Sequence, residues 1–440
     1  MKLWAAAVLV VCTATYGKTL VVNNNPANNV APCKTAVYNT VNAALTAANS
    51  GDTIHICPGI YQEALLVTKS NVSFVGLNVA GSSLVELEPT VPVTIADVGP
   101  NPENPNTSGV VIVESATNVN FVGITVNGSL ADGSGPNSAC GVNHVGFYFA
   151  NSDGSIQNSV VEFAGLNGDG SITGCQEGHG IYVNSGNGGH SYLTVTGTSI
   201  HDFDKSGIAA EQPGTTLVAK YNTVTGAGPI TKTAQNGIEV NFGTFGVVDS
   251  NIVTAVDYIN PDTCPSEFYT CSSATGILFY QAGNNSHANG NTISETNGGI
   301  YFYQTSHGTA NSNNISKSIN YGPLAAYQAS STTFKWNTLT GSSDVFGLGQ
   351  PAAGDPAQPA IYICGSKSTV EGNTINDALI GVQDDRTSID ECTSGGSNTI
   401  SGNIYENVGL NTQVATDATP AFVNARMQHA ASFGKPSPSK

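Results

Sequence analysis

A chain of 440 residues with 10% charged side chains, 14 Lys+Arg against 31 Asp+Glu, is strongly acidic at a formal net charge of −17. That balance excludes a basic track for nucleic-acid phosphates, and 40% hydrophobic residues exclude a disordered polymer. With 50 glycines and few strong helix formers, the composition points to a large, β-rich protein.

In chain order, Met1-Lys2 followed by the apolar run Leu3 to Val11 reads as a leader ending by Gly17, too short to span a bilayer. An extension follows over 18–36. The protein is expected to be secreted or periplasmic, and the cysteines agree. Removal of the leader leaves eight of them, an even number that suits an oxidising compartment. Sequence alone admits 105 pairings of eight cysteines. Neighbour pairing is the simplest: Cys33 with Cys57, Cys140 with Cys175, Cys264 with Cys271, Cys364 with Cys392. A zinc site is disfavoured because no C-x-x-C pair exists.

Residues 39–49 hold a short helical pattern, with Val41, Ala44, Leu45 and Ala48 on one face and Asn39 placed to cap it. From there a repeat dominates. One half is Gly-apolar-x-apolar, as in Gly180 to Val183, Gly207 to Ala210, Gly237 to Val240, Gly276 to Phe279 and Gly299 to Phe302. The other is Asn-Thr-apolar, beginning at Asn222, Asn291, Asn337, Asn373 and Asn398, and uninterrupted spacings run from 22 to about 30 residues. Each half alternates with period two, so each is a short strand. One such unit cannot bury its apolar face alone, but stacked units make a continuous core. The expected fold is all-β: a right-handed parallel β-helix over 37–410 behind a capping helix, with a C-terminal cap and tail over 411–440. The repeated Asn suits a left-handed turn and an amide ladder along the coil.

The opening from Tyr38 to Asn78, with Gly51-Asp52-Thr53, Pro58-Gly59-Ile60-Tyr61-Gln62-Glu63 and Asn71-Val72-Ser73-Phe74-Val75-Gly76, resembles the pectin-lyase-like superfamily of carbohydrate-active β-helix proteins. The likeness covers roughly residues 37–410 and implies fold more than activity, since that fold hosts lyases, hydrolases, esterases, epimerases and adhesins. Gly59, Tyr61 and Glu63 match the methylesterase opening, but Gln350 stands where those enzymes need an Arg. Gly178-His179-Gly180 and Asp384-Asp385 are polygalacturonase-like fragments in the wrong order, without an Arg-x-Lys.

Alternation also assigns the outward residues of the Gly-apolar-x-apolar strands: Tyr148, Tyr182, Asn184, Glu211, Glu239, Asn241, Tyr280, Tyr301, Tyr303, Tyr327 and Tyr362. Tyrosines beside amides and carboxylates suit a sugar chain, the rings packing on its C–H faces. On an exposed sheet, tyrosine also simply stabilises its neighbours. Glu211 and Glu239 lie one coil and two residues apart, on the order of 8 Å between Cα atoms, which suits an acid/base pair. His179 and Lys205 flank them as a candidate base and a candidate anion holder. Calcium is compatible with the turns at Asp153 and Asp169 but not required; no other cofactor or metal is implied. With only Arg386 and Arg426 as arginines, an uncharged polysaccharide is the better partner than a polyuronate. Neither nucleic acid nor membrane is expected, and the oligomeric state is open. The reading is a polysaccharide-acting protein, foremost a glycoside hydrolase. A non-catalytic glycan-binding or adhesin-type β-helix is the alternative, and a Ca-dependent polysaccharide lyase the third.

Overall fold

A computed structural model describes residues 17–79, 83–99, 106–129, 140–167, 169–186, 188–259, 274–318, 322–340, 359–386, 392 and 396–416. Residues 1–16 of the leader, the Cys264/Cys271 pair, Gln350 and the residues beyond Thr416 lie outside the described residues.

The period-two segments form three strands per coil, and the coils stack in parallel into a right-handed β-helix. The first face is a 13-stranded sheet from Thr19–Val22 to Thr399–Ser401. The second and third faces merge into one 23-stranded sheet, because Thr374–Asp385 and Ile404–Ala415 are each long enough to turn from one face into the next. Every inward position lands on its counterpart a coil away. On the third face Ile181, Ile208, Ile238, Ile277, Ile300, Leu324 and Ile361 stack in register, all buried. A parallel column runs through Val183, Ala210, Val240, Phe279, Phe302, Ala326 and Ile363 to Asp384, which pairs in turn with Val414. That buried carboxylate is held by Arg386 Nη2 at 2.6 Å and Asn398 Nδ2 at 2.9 Å. Asp385 accepts from the Tyr362 hydroxyl at 3.0 Å. The Asp384-Asp385 pair is thus tied into the last coils by these bonds.

The N-terminal end is closed by the helix Val41–Ala47, whose Val41, Ala44 and Leu45 are buried on the first coil. Its N-cap is Thr40 and not Asn39: Thr40 is extended, and its Oγ1 accepts from the Ala43 N–H. Glu63 takes the next free amides, those of Val41 and Asn42, both at 2.9 Å. Lys69 donates to the carbonyls of Leu45, Thr46 and Ala48 at the other end. An anion at the N-terminus and a cation at the C-terminus complement the helix dipole. Glu63 of the methylesterase-like opening is therefore a capping residue.

The asparagine ladder is present, with one correction. Asn222, Asn251, Asn291, Asn313, Asn337, Asn373 and Asn403 pass amide hydrogen bonds coil to coil at 2.8–3.1 Å. None of them is left-handed. The residue before each takes the positive φ: Tyr221, Ser250, Gly290, Ser312, Trp336, Gly372 and Gly402. The bend falls one residue early and points the amide inward, where it also caps a carbonyl.

Three expected disulfides form, Cys33–Cys57, Cys140–Cys175 and Cys364–Cys392. The first closes a loop with a sequence separation of 24 and packs with Val21, Leu77 and Val79. Replacing both cysteines by serine should cost about 3 kcal/mol in denaturant unfolding, and an unchanged midpoint would show that the bridge does not restrain the unfolded chain.

Candidate active site on the third face

The outward positions of the third face form a grid whose rows are coils. Over the first rows lies an arch. Val93–Ala96 runs antiparallel to Asn106–Glu114, and Val93, Ile95 and Val98 pack on Ile112, Val145, Tyr148, Tyr182 and Ala209. The arch is seated tightly: a Cβ at Gly186 would stand 1.5 Å from the Val98 carbonyl oxygen, so only glycine fits there. Asp97 anchors it. Its Oδ1 accepts from the Tyr148 hydroxyl (3.1 Å) and the Asn184 amide (2.8 Å), and its Oδ2 from Thr107 Oγ1 (3.0 Å). Tyr148 and Asn184 are consequently 0% exposed. They were expected to meet a ligand and cannot do so in this arrangement, because the arch occupies their face.

From Asp97 a polar chain leads into the open rows. The Tyr148 hydroxyl shares its one proton between Asp97 and Asn184 Oδ1, the latter at 2.8 Å, and Asn184 Nδ2 donates to the Tyr182 oxygen at 2.8 Å. Tyr182 donates to Glu211 Oε2 at 3.1 Å. Glu211 is partly exposed, while Glu239 is buried at 5%. The pairing of Ala209 with Glu239 confirms the expected diagonal between the two carboxylates. Asn241 Nδ2 bridges them, 3.4 Å from Glu211 Oε1 and 3.3 Å from Glu239 Oε2. Those two oxygens are therefore under about 7 Å apart, at or below the short end of the ~6.5–9.5 Å of inverting glycosidases and compatible with the ~5–5.5 Å of retaining ones. Asn236 Nδ2 donates to Glu239 Oε1 from the same strand.

The electrostatics act on Glu211 and on the basic groups around the pair. Burial, and then the neighbouring Glu239 charge, push Glu211 up to about 7. Glu239 has amide donors on both oxygens, and its charge favours protonated Lys205, which burial otherwise drives below the usual lysine range. Lys205 Nζ donates to the Ala234 carbonyl at 2.6 Å. Asp204, buried and bonded to Thr173, is pushed up to about 6 by desolvation. His179 is driven down to about 3, first by burial and then by the Lys205 charge, so it is a neutral and weak base at pH 7. Its ring stacks on Tyr182 with centroids 5.3 Å apart.

The raised acidity constant of Glu211 has a consequence for stability. A carboxyl lifted from about 4.5 to about 7 on folding contributes stability that is complete below pH 4.5 and is lost as pH rises through 7. Glu211→Gln should therefore stabilise the protein at pH 8, by on the order of 2 kcal/mol, and leave it unchanged near pH 4. Thermal melts at the two pH values check this; equal shifts would refute it.

Several buried polar atoms beside the pair have no hydrogen-bond partner: His179 Nδ1, Ser206 Oγ, Thr275 Oγ1 and Asn241 Oδ1. His179, Ser206, Asn236 and Thr275 are register neighbours in one column, so these atoms border the carboxylates. Beyond Glu239 the tyrosines form a ladder. Tyr280, Tyr303 and Tyr327 stack at 4.7 and 5.4 Å with nearly parallel rings, and the edge of Phe242 meets Tyr280. Tyr301 joins Tyr362 in the cluster under the Cys364–Cys392 bridge. The expectation that sugar rings pack on these aromatic faces is corrected: within the ladder the faces cover one another, and Tyr301, Tyr303 and Tyr327 are buried, with Tyr280 partly exposed.

Other ligand clusters stand apart. Asp153 faces His190 Nδ1 at 3.1 Å, and Asp169 accepts from Ser171 N–H at 3.0 Å. Glu162, His201 and Asp202, on the second face, bring donor atoms within 4.8 Å of one another. A cleft lined by Pro92, Ser108, His144, Phe163 and Leu166 lies on the far side of the arch and has no carboxylate lining it. Sequence reasoning placed Glu211, Glu239, Asn241 and Lys205 together correctly. It missed Asn236, readable as the residue before Gly237 in the repeat, and Asp97, for which the repeat carries no signal.

A family model described as periplasmic copper-binding protein (NosD) matches residues 222–420. No curated protein matches in sequence. Among solved structures, the chain is similar to a GH136 lacto-N-biosidase from Eubacterium ramulus at 11% identity and a TM-score of 0.51, covering 90% of this chain and 68% of that one. It is also similar to the A-module of a mannuronan C-5 epimerase from Azotobacter vinelandii (13% identity, 88% and 95% coverage, TM-score 0.47). A pectate lyase gives 13% identity, 92% and 79% coverage and a TM-score of 0.37. At such identities the likeness is one of fold, a parallel β-helix. Among the described residues no helix is long and apolar enough to cross a membrane.

Proposed function

We propose that this is an exported, carbohydrate-active β-helix protein that hydrolyses a glycosidic bond at the Glu211/Glu239 pair. Cleavage of the leader by Gly17 would deliver it to an oxidising compartment, where its disulfides form. The observation that carries the reading is the asymmetry of two adjacent carboxyls. Glu211, with its proton held up to about pH 7, is the general acid; Glu239, fixed by Asn236 and Asn241, is the carboxylate that serves as base or nucleophile. The glycosidic C–O bond breaks, Glu211 protonates the leaving oxygen, and water gives its hydroxyl to the anomeric carbon and its proton to Glu239 acting as base, or to the deprotonated Glu211 when Glu239 is the nucleophile. Of the outward tyrosines Tyr280 is partly exposed, and its edge and hydroxyl would meet the sugar beside Glu211. Lys205 acts on Glu239 electrostatically. The net charge of −17 favours a neutral glycan over a polyuronate. Calcium is not needed for these steps.

The deciding experiment is a glycan panel on the mature protein, with and without Ca²⁺, read for new reducing ends, ultraviolet-absorbing products and retained glycan. New reducing ends support hydrolysis. Unsaturated products would replace it with a lyase, and retention without product would make the protein a glycan-binding or adhesin-type β-helix.

A further inference from the structure

We infer that the corner joining the first face to the second is a separate, non-catalytic glycan-binding surface, spanned by Tyr221 and Trp336. The third face does not share this corner, so the inference stands whether or not the carboxylate pair hydrolyses anything. The corner residue of each coil has a positive φ, and its N–H donates to the next coil: Tyr221 to Asp249, Ser250 to Asn289, Gly290 to Asn311, Ser312 to Lys335 and Trp336 to Glu371. Successive corner residues therefore stand one coil apart. A left-handed backbone favours glycine or a small polar residue and disfavours a bulky one. Ser250, Gly290 and Ser312 follow that rule. Tyr221 and Trp336 break it and gain no burial in return, being 65% and 62% exposed. The indole rests on the following coil, where a Cβ on Gly372 would stand 2.7 Å from Trp336 Cδ1.

Four rises of ~4.8 Å put the two aromatics about 19 Å apart, with Ser250, Gly290 and Ser312 as the floor between them. A pyranose ring is about as long as one rise, so an extended chain of about four units reaches from one aromatic to the other. Beside this floor lie oriented amides. Asn289 Oδ1 accepts from the Asn311 N–H, and Asn311 Oδ1 from the Lys335 N–H, both at 3.0 Å. Neither Nδ2 has a hydrogen-bond partner among the described residues, so two donors, one coil apart, are left for a ligand. Across the floor, Thr292 and Asn314 are exposed. Aromatic side chains beside amides and hydroxyls suit a sugar, whose C–H face packs on a ring while its hydroxyls take the polar groups. The charges at the two ends are already paired, Lys220 with Asp249 at 3.2 Å and Lys335 with Glu371 at 2.8 Å. An uncharged floor between neutralised ends fits a neutral glycan and offers a polyanion no cluster of cations.

The test follows Trp336, the one tryptophan outside the leader, so intrinsic emission of the mature protein reports on this corner alone. Linear β-1,4-linked gluco-, manno- and xylo-oligosaccharides, from dimer to octamer, are titrated and read before products accumulate. The emission should move to shorter wavelength with at least one series, and affinity should rise at least tenfold between dimer and pentamer, where both aromatics are bridged. Tyr221→Ala should remove that dependence on length. Trp336→Ala, read by calorimetry, should weaken pentamer binding at least tenfold. Both side chains are exposed, so neither change disturbs the core. No emission change in any series, or equal affinity at every length, would overturn the inference. So would a concentration-dependent dimer abolished by Trp336→Ala, which would make the corner an interface between copies. Hydrolysis without an emission change removes this inference alone, and an emission change without hydrolysis removes only the hydrolase reading.

Discussion

Glu239→Gln and Glu211→Gln should each lower kcat by about 10²–10⁴-fold on whichever glycan the panel identifies, with little change in KM. The two losses have different causes. Gln at 239 keeps an oxygen for the Asn236 amide, but its own NH2 meets the Asn241 amide, and the negative charge facing Lys205 is gone. Gln at 211 still accepts from Tyr182, so the arch-to-site chain survives, while the transferable proton and the long Asn241 contact are lost. The wild-type rate should fall as pH rises through about 7, where Glu211 ionises. That alkaline limb should vanish from the residual activity of Glu211→Gln. Rates within threefold of wild type for either variant would remove these carboxylates from the chemistry.

Asn313→Ala should be the most damaging single change in the solenoid's polar interior, at about 3–5 kcal/mol. Asn313 accepts from the Asn291 backbone N–H and side-chain amide, and donates to the Ala288 carbonyl and to Asn337 Oδ1. Alanine leaves the Asn291 N–H and the Ala288 carbonyl buried without these partners, several coils from either end of the ladder. Asn313→Asp separates this cause from loss of volume. It keeps an acceptor for Asn291 but places a carboxyl at a site 1% exposed, where burial raises its pKa. Its stability should match that of the wild type best at low pH and decline as pH rises through the folded-state pKa. Denaturant unfolding at about pH 4 and 8 reads this directly; a pH-independent cost would mean that packing, and not hydrogen bonding, is what the ladder contributes.

Much of the architecture follows from local rules. Period-two alternation determined which residues of Gly180 to Val183 and its copies face the core, because a strand's faces are set by the pleat and not by distant contacts. Counting positions then placed Glu211 and Glu239 on adjacent coils, and the same regularity anticipated the ladder of asparagines and the capping helix. Finer geometry escaped it. The N-cap fell on Thr40 because Thr40 is extended and its oxygen reaches Ala43. The left-handed bend fell on the residue before each ladder asparagine. Asp97 was invisible, since it lies 87 residues from Asn184, outside any repeat, and its role arises from a single excursion of the chain.

The sequence by itself determined the solenoid, its inward columns and the adjacency of the two carboxylates, because each depends on a short pattern repeated at a regular spacing. The tertiary structure alone decided how much of the outer face is usable. Whether Tyr148 meets solvent depends on where Val93 to Gly99 settles, and whether Tyr303 offers a face or an edge depends on the rotamers of Tyr280 and Tyr327. These are outcomes of packing between segments far apart in the chain, and alternation along a strand carries no information about them.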